Sequence, residues 1–405
     1  MEKRQISFSP PDIREEDIEE VVDTLRSGWI TTGPKTKKFE RMIAEYCHTN
    51  KAVCLNSQTA CAEMILRFLG VGPGDEVIVP AYTYSASASV IEHVGATIVM
   101  VDAQKDCVEM DYDQLEKAIT EKTKVIIPVD LAGIVCDYNR IFEIVEKKKN
   151  LFAPNNDIQK AFGRVIVVTD GAHALGATWH GKVCGEIADF TNYSFHAVKN
   201  LTTAEGGALV WKPIPGFDDE WIYKQFQLLS LHGQNKDALS KTKLGAWEYD
   251  IVAPYFKCNM TDIMASLGIQ QLERYPDLVK RRHWIVEQYN ACVGKYNVSY
   301  LDHSGNDHCS SGHLYFLRLN GQSVETRNLF IEKMAEKGVA CNVHYKPLPM
   351  LSAYKNLGFG IKDYPNAYHL YENEVTLPLH TCLSDEDVAY VCECLDETFR
   401  EMGLC

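Results

Sequence analysis

The feature that most constrains the fold of this 405-residue chain is a regular alternation of short apolar segments with helical patterns. The apolar segments have the length and composition of buried strands, and they lie at residues 52–55, 76–79, 97–101, 124–127 and 164–169. Helical spacing separates them and begins at residues 16–26, where Gly28 closes the first helix. Strands joined by helices in this way predict βαβ units and a mostly parallel sheet, covered by helices on both faces.

The C-terminal part of the chain has a different pattern. A long helical pattern begins near Met260 and leads into a mixture of strands and helices. The clearest of these are a strand at residues 313–319 and helices at 324–337 and 385–395. We therefore predict a large α/β domain over residues 1–250, with an N-terminal arm. A small α+β domain over residues 251–405 would include the linking helix. Within the large domain, residues 147–163 are polar and predict a surface insertion.

Charge and composition exclude several classes of function. The formal net charge is -14, which argues against a nucleic-acid partner, because such proteins carry basic stripes. No apolar segment follows the first residues, and no apolar run is long enough to span a bilayer, so we expect a cytoplasmic protein with no membrane partner. The 14 cysteines are scattered along the chain, a distribution that favours reduced thiols over disulfides.

One segment carries side chains that bind metals in other proteins. The potential ligands are His303, His308, Cys309 and His313, in a loop rich in serine and glycine. Because polar loops collect histidine without binding anything, we predict no metal site.

The residues that carry chemistry lie where the predicted strands end. Asp170 ends the strand at 164–169, and Lys199 follows in a loop of Ser, Thr and Gly between Asn192 and Gly207. A lysine amine can form a Schiff base with a cofactor aldehyde, and an acid can keep a pyridine nitrogen protonated, so that the ring accepts electrons. The pair predicts pyridoxal phosphate (PLP) as the cofactor, with Lys199 also carrying the proton of the reaction.

Two polar positions could bind the phosphate of that cofactor. The turn at residues 56–60 lies between a strand and a helix, where free N–H groups and the helix dipole favour an anion. An ordinary N-cap by Ser57 or Thr59 is the alternative interpretation of this turn. Ser194, in the same loop as Lys199, can donate a hydrogen bond to the phosphate.

Two further side chains could contact the cofactor ring. An aromatic side chain after the strand at 76–79, Tyr82 or Tyr84, could stack on the ring or could pack in the core or in an interface. His173 could bond to the phenolic oxygen of the cofactor or to the substrate, or could be an ordinary polar residue of its loop.

Taken together, these motifs resemble the DegT/DnrJ/StrS aminotransferases, which aminate keto-sugars, usually nucleotide-linked. The lysine loop and the Gly-Pro-Gly-Asp-Glu run at residues 72–76 are the most specific motifs, and the resemblance runs nearly end to end. It implies the fold type I of PLP-dependent transferases, with a mainly parallel seven-stranded sheet, and a homodimer with shared active sites. L-glutamate is the usual amino donor of such enzymes, in a two-stage reaction through pyridoxamine phosphate (PMP).

The resemblance also implies roles for individual residues. It places Thr59, Ala60 and Ser194 at the phosphate, Tyr84 on the ring face, Asp170 at the pyridine nitrogen, His173 at the phenolic side and Lys199 in the Schiff base. Lys257 occupies the place from which an asparagine of the partner subunit often reaches the phosphate, where a lysine could act as a point charge. The chain departs from the family pattern at Gln58 and Ala204, where glycine is commoner, and at Pro349, where histidine is frequent.

We therefore expect a PLP-dependent aminotransferase that transfers an amino group from an amino acid to a keto-sugar in amino-sugar biosynthesis. A keto-cyclitol aminotransferase would have the same fold and chemistry. A sugar dehydratase of this fold would carry histidine in place of Lys199, and a non-catalytic sensor would need neither Lys199 nor Asp170. Both are weaker alternatives.

Overall fold

The computed structural model describes residues 3–235 and 248–404. Its helices are α1 Glu15–Ser27, α2 Pro34–Tyr46, α3 Gln58–Phe68, α4 Ala86–His93, α5 Tyr112–Ala118, α6 Tyr138–Lys147, α7 Asp157–Phe162, α8 Asp219–Ser230, α9 Asp262–Glu273, α10 Tyr275–Val293, α11 Val324–Glu336, α12 Ser352–Asn356, α13 Pro365–Glu372 and α14 Asp385–Glu401. Its strands are β1 Ala52–Leu55, β2 Glu76–Pro80, β3 Thr97–Val101, β4 Thr123–Ile126, β5 Ile166–Asp170, β6 Thr178–Trp179, β7 Lys182–Val183, β8 Phe190–Ser194, β9 Gly207–Trp211, β10 Val298–Tyr300, β11 His308–Cys309, β12 Tyr315–Leu319 and β13 Glu374–Leu377.

A seven-stranded sheet forms the centre of the large part of the molecule. Its strand order is β1-β9-β8-β5-β4-β2-β3. Strand β9 is antiparallel to both of its neighbours, and the other pairs are parallel. This arrangement confirms the predicted mainly parallel sheet. All five strands expected from apolar runs are present, with ends that differ from the prediction by at most two residues.

The predicted lysine loop is shorter than expected. Ser194 is the last residue of β8 and pairs with Gly207, the first residue of β9, so the loop comprises only residues 195–206. Strand β8 was missed because Asn192 and Ser194 are polar. Ser194 ends the strand and lines the cavity described below, and Asn192 lies two residues before it.

The sheet is buried on both faces, which explains why its strands are continuous apolar runs. In β2, Val77 and Val79 pack into one cluster with α3, α4 and α8. Ile78 packs into the opposite cluster with α2, α6 and α9. Helix α1 ends as predicted at Gly28, whose φ of 75° is left-handed.

The C-terminal part has a second, antiparallel sheet, β10-β12-β13, with α10, α11 and α14 packed around a separate apolar cluster. The N-terminal arm packs here, because Ile6 pairs with Val339 and belongs to this cluster. Conversely, Ile269 of α9 packs on the large sheet. The N-terminal arm thus packs on the C-terminal part, and α9, after residue 250, packs on the large sheet. The domain boundary at residue 250 stays a prediction.

The predicted insertion at residues 147–163 is not only a surface feature. Helix α7 lies within it, and the side chain of Gln159 is fully buried. Gln159 and Asn156 both donate hydrogen bonds of 2.9 Å to the carbonyl oxygen of Leu69. The segment therefore binds the carbonyl end of α3, which the sequence could not indicate because its polar residues are characteristic of exposed loops.

Across residues 3–235 and 248–404, no helix combines the length and the apolar character that crossing a bilayer requires.

Candidate active site

A cavity of about 500 Å³ opens at the carboxyl ends of the parallel strands, where ligands bind in sheets of this kind. The turns after β1, β2, β4 and β5 contribute to it, as do the loop before β9 and residues of the C-terminal part. Of the predicted site residues, it brings together Thr59, Tyr84, Asp170, His173, Ser194 and Lys199. Ala60 and Lys257 are not among its lining residues.

Lys199 lies in the loop between β8 and β9, and its side chain is half-buried at the cavity. The loop is anchored by bonds from Phe195 N–H to Gly206 O and from the side-chain amide of Asn200 to Ser311 O, both 2.8 Å. Burial lowers the pKa of the Lys199 amine to about 8, an effect that the Asp170 carboxylate opposes. Because this value is lower than that of an ordinary lysine, about a tenth of the amine is unprotonated at pH 7.

Backbone geometry explains two residues at the end of this loop and the start of β9. Ala204 has a left-handed φ of 67°, the conformation for which glycine is commoner at this position. At Gly207, a Cβ atom would lie 2.4 Å from the backbone nitrogen of Gln58. Glycine is thus required where β9 passes the first turn of α3.

Asp170 is buried at the end of β5, as predicted. One carboxyl oxygen accepts a hydrogen bond of 2.6 Å from Ser87 Oγ, and the other accepts one of 3.1 Å from Ala172 N–H. Burial raises the pKa of Asp170, while the bond from Ser87 and the charge of Lys199 oppose that shift. Within the described residues, no cation lies within ion-pair distance of this carboxyl. A cationic group in the cavity would find a desolvated partner there.

His173 lies beside this aspartate and is buried. Its Nδ1 accepts a hydrogen bond of 3.1 Å from Ala132 N–H, so the ring proton is on Nε2, which lies 3.2 Å from Tyr345 Oη. Its ring packs on that of His313, with a centroid separation of 4.2 Å. Burial and the charge of Lys199 hold the pKa of His173 well below its usual range. The histidine is a neutral hydrogen-bonding group and not an acid.

The turn before α3 has the geometry of a helix N-terminus. Ser57 is the N-cap, because its Oγ accepts a hydrogen bond of 3.1 Å from Ala60 N–H. This hydrogen bond confirms Ser57 as the cap. It also uses the N–H group of Ala60, which was predicted to lie at the phosphate. The N–H groups of Gln58 and Thr59 precede the first bond within the helix, from Cys61 to Ser57 O. They and Ser194 Oγ are the groups that could hold a phosphate.

The two candidate tyrosines have different environments. Tyr82 is buried, and its hydroxyl donates to His344 O at 2.7 Å, so it packs in the core. Tyr84 lines the cavity and is 63% exposed, with its ring 5.8 Å from that of Tyr345. Only Tyr84 is placed to cover a bound ring. The exposed Lys257 bonds to the side chain of Asn259, outside the cavity.

Several residues in or beside the cavity had no individual role predicted from the sequence. Ser87 bonds Asp170, and Gln58 donates to Asn192 at 2.5 Å beneath the cavity. Phe8, His313 and His344 also line the cavity. His313 was considered only as a metal ligand, but its Nδ1 lies 2.8 Å from Asn200 Oδ1. Among the residues that the structure describes, no three potential ligands converge on a metal site.

The cavity fits the predicted cofactor. It contains a partly neutral amine at Lys199, a buried acid at Asp170 and a helix N-terminus with free N–H groups at Gln58 and Thr59. Its volume lies in the range of small-molecule sites. These are the groups needed for an aldehyde, a pyridine nitrogen and a phosphate.

Comparison with known proteins decides between the possible families. The model of the DegT/DnrJ/EryC1/StrS aminotransferase family matches residues 11–396. The chain belongs to this family. The predicted family, fold class and enzyme class are therefore confirmed: the chain is a PLP-dependent aminotransferase.

Several members of the DegT/DnrJ/EryC1/StrS family match almost the whole chain. Spr1654 of Streptococcus pneumoniae, assigned as a sugar aminotransferase, has been solved in a PMP form and a PLP form. The PMP form is 62% identical with a TM-score of 0.95, and covers 98% of this chain and 100% of its own. The PLP form is 60% identical with the same TM-score and coverage. Uncharacterised protein MJ1066 of Methanocaldococcus jannaschii is 38% identical over 98% of both chains. The spore coat polysaccharide biosynthesis protein SpsC of Bacillus subtilis is 35% identical over 98% of this chain and 97% of its own.

Proposed function

We propose that this aminotransferase moves an amino group from L-glutamate to the keto group of a nucleotide-linked sugar, in amino-sugar biosynthesis. The observation that carries the proposal is the position of the Lys199 amine and the Asp170 carboxyl on one cavity, in a chain of this family. The sugar acceptor is supported by Spr1654, assigned as a sugar aminotransferase, and by SpsC, which acts in polysaccharide biosynthesis.

The residues around the cavity have separate tasks in this proposal. Thr59, Gln58 and Ser194 hold the phosphate, Tyr84 covers the ring, and His173 donates from Nε2 towards the phenolic oxygen. When bound, PLP supplies an electron sink that stabilises negative charge at the carbon that bears the amino group. Asp170 keeps that sink effective, because a buried carboxylate stabilises a protonated ring nitrogen.

Lys199 performs the proton transfer. With its pKa lowered by burial to about 8, its amine can accept a proton at Nζ and return it near neutral pH. The Asp170 carboxylate stabilises the ammonium form without an ion pair, so the proton remains exchangeable. Phe8 and Tyr345 line the cavity on the side of the C-terminal part.

We also propose that the enzyme is a homodimer with shared active sites. An exposed apolar segment at residues 249–256 supports this, since Ile251, Val252 and Tyr255 are each at least 40% exposed. Burial of such side chains by a second copy would be favourable. Lys257 follows this segment directly, so we propose that it reaches the phosphate site of the partner. Sedimentation of the purified enzyme measures the dimer, and PLP titration of Lys257→Ala measures the role of Lys257.

The proposed reaction is tested by supplying L-glutamate to the PLP-loaded enzyme and then adding nucleoside-diphosphate-linked keto-sugars. Mass spectrometry identifies an amino-sugar product, and 2-oxoglutarate is measured separately. We expect both products in equal amounts. A keto-inositol is included, because amination of that compound alone would favour the cyclitol alternative. Formation of 2-oxoglutarate with no aminated product from any of these acceptors would contradict the proposed acceptor class.

A further inference from the structure

A buried carboxylic acid outside the proposed cofactor site connects to the cavity through two hydrogen bonds. Glu374, the first residue of β13, is fully buried. Its Oε1 lies 2.5 Å from Thr376 Oγ1, and Thr376 Oγ1 lies 2.9 Å from Nδ1 of His344. The ring of His344 lines the cavity. Three polar groups thus form a continuous path from the interior to the cavity wall.

The backbone holds this path rigidly. His344 N–H donates to Glu374 Oε2 at 2.8 Å, so both oxygens of the carboxyl have partners. Asn342 and Thr376 exchange two backbone hydrogen bonds, which fixes His344 relative to β13. The ring of Phe8 stacks on that of His344, with 5.6 Å between the centroids and 19° between the planes. The imidazole is therefore held in place with one edge bonded.

The other edge of the imidazole is free to bind a substrate. Within residues 3–235 and 248–404, no protein group forms a hydrogen bond with Nε2 of His344. Burial and the charge of Lys199 lower the pKa of His344 to about 4, so the ring is neutral at physiological pH and carries one proton. That proton can be on either nitrogen.

The protonation state of Glu374 decides which nitrogen of His344 carries the ring proton. The hydroxyl of Thr376 has one proton and can donate in only one direction. If Glu374 is protonated, it donates to Thr376, Thr376 donates to Nδ1, and His344 has its proton on Nε2. If Glu374 is ionised, Thr376 donates to the carboxylate and accepts from Nδ1–H. Nε2 then offers a lone pair.

The surroundings of Glu374 make both states accessible. Charged and titratable groups around the carboxyl are Arg318, Arg327, Tyr82, Tyr345 and Cys341. No ion pair joins Glu374 to either arginine: Arg318 bonds to Asp106, and Arg327 to backbone carbonyl groups. Burial raises the pKa of Glu374 to about 8. The groups that face His344 are Lys199, His173 and His313.

We propose that Glu374, Thr376 and His344 form a proton relay, and that Nε2 of His344 contacts the keto oxygen of whichever keto substrate takes the amino group, the keto-sugar or, in the reverse reaction, 2-oxoglutarate. This inference rests on the proposed function, in which a keto oxygen leaves as water. Nε2–H gives its proton to that oxygen, and Nδ1 takes the proton of Thr376 Oγ1. Thr376 takes the proton of Glu374, which becomes a carboxylate. The nitrogen of the attacking amine then gives a proton to Nε2, and the same three groups pass a proton back to Glu374. A second such cycle supplies the second proton with which the oxygen leaves as water. His344 is then a catalytic residue, and Thr376 and Glu374 are positioning residues.

The relay is tested by the tautomer of His344, measured by ¹⁵N nuclear magnetic resonance on the full-length enzyme from about pH 6.5 to about pH 9.5. The signal is assigned by its loss in His344→Gln. We expect Nε2–H at the acidic end and Nδ1–H at the basic end, with the change centred near pH 8. Thr376→Val should abolish the change, whereas Thr376→Ser should retain it. The same tautomer throughout the range in the wild type, or an unchanged response in Thr376→Val, would overturn the relay.

The contact with substrate is tested separately, in a single turnover of the PMP-loaded enzyme with 2-oxoglutarate as the keto acceptor. Thr376→Val should lower the rate about tenfold or more, and Thr376→Ser by about twofold at most. If the wild type reacts and Thr376→Val is equally fast, the contact with the keto oxygen is refuted. If the wild type does not react but the tautomer change is seen, the relay stands and glutamate is refuted as the donor.

Discussion

Two buried aspartates lie at the ends of neighbouring strands, and their surroundings differ. Asp130 follows β4 and Asp170 ends β5, and the N–H of Asp130 donates to the carbonyl oxygen of Asp170 at 3.1 Å. Burial raises the pKa of both carboxyls, to about 6 for Asp130. In the sequence each follows an apolar run, so local pattern alone does not separate them.

Their hydrogen-bond partners separate them. Asp130 accepts from Cys136 N–H and Tyr138 Oη, each at 3.0 Å, and from Cys184 Sγ at 3.1 Å. These donors surround it and fix the turn that aims Ala132 N–H at His173. Asp170 has fewer donors and lies beside Lys199. The comparison teaches that a strand-end carboxylate serves structure where protein donors occupy it, and chemistry where the cavity leaves it a place for a cation.

The largest effect on turnover is expected from Lys199→Ala, next to Asp170. Turnover should fall by more than about 10⁴-fold, because the variant lacks the amine that binds the cofactor and carries the proton. The fold should be retained, as shown by an unchanged circular dichroism spectrum. Lys182→Ala, at an exposed lysine of β7, is the matched control. Steady-state transamination by Lys199→Ala would contradict the assignment.

Substitution of the two aspartates gives the next largest effects. Asp170→Asn should mainly change the activity, and Asp130→Asn should mainly change the stability. Asp170→Asn should lower kcat about a hundredfold or more, because a neutral amide does not stabilise a protonated ring. Asp130→Asn should change kcat less than about tenfold but lower the free energy of unfolding by about 1–3 kcal/mol, because the new NH₂ group faces Cys184. Urea unfolding and steady-state kinetics on both variants measure this. Equal losses of activity in the two would erase the distinction.

A smaller effect is expected in the pH dependence of stability. The folded-state pKa of Asp130 is raised by burial from 3.8 to about 6. The folded state therefore holds a proton that the unfolded state has lost, and the contribution of Asp130 declines as pH rises from about 4 to about 6. Relative to wild type, Asp130→Asn should gain stability over this interval, by about 1.4 kcal/mol per pH unit at most. Parallel urea-unfolding curves for the two proteins across this interval would show that Asp130 does not titrate as described.

The smallest effect is expected from Ala204→Gly in the loop that carries Lys199. Glycine removes the cost of a left-handed φ for alanine and adds freedom to the unfolded chain, so a net gain of about 0.5 kcal/mol is expected. Thermal unfolding measures it, with kcat unchanged. A loss of stability would indicate that the loop needs the methyl group of Ala204 for packing.

Much of the fold follows from the sequence, because strands buried on both faces are continuous apolar runs. Strand β8 did not follow, because its end is polar where it meets the cavity. Lys199 and Asp170 could be recognised because each belongs to a local motif. Ser87, His313 and Glu374 could not, because their roles depend on partners distant in the chain, such as the bond of Ser87 to Asp170. Tertiary structure alone brings such pairs together.

The most direct measurement of the central claim is the visible absorption spectrum of the purified PLP-loaded enzyme before and after addition of L-glutamate. We predict a band of the lysine-bound cofactor that moves to the band of PMP, and the absence of both the initial band and the shift in Lys199→Ala. A wild-type enzyme that takes up PLP without a lysine-bound band, or a Lys199→Ala variant that shows the same band and shift, would contradict the account.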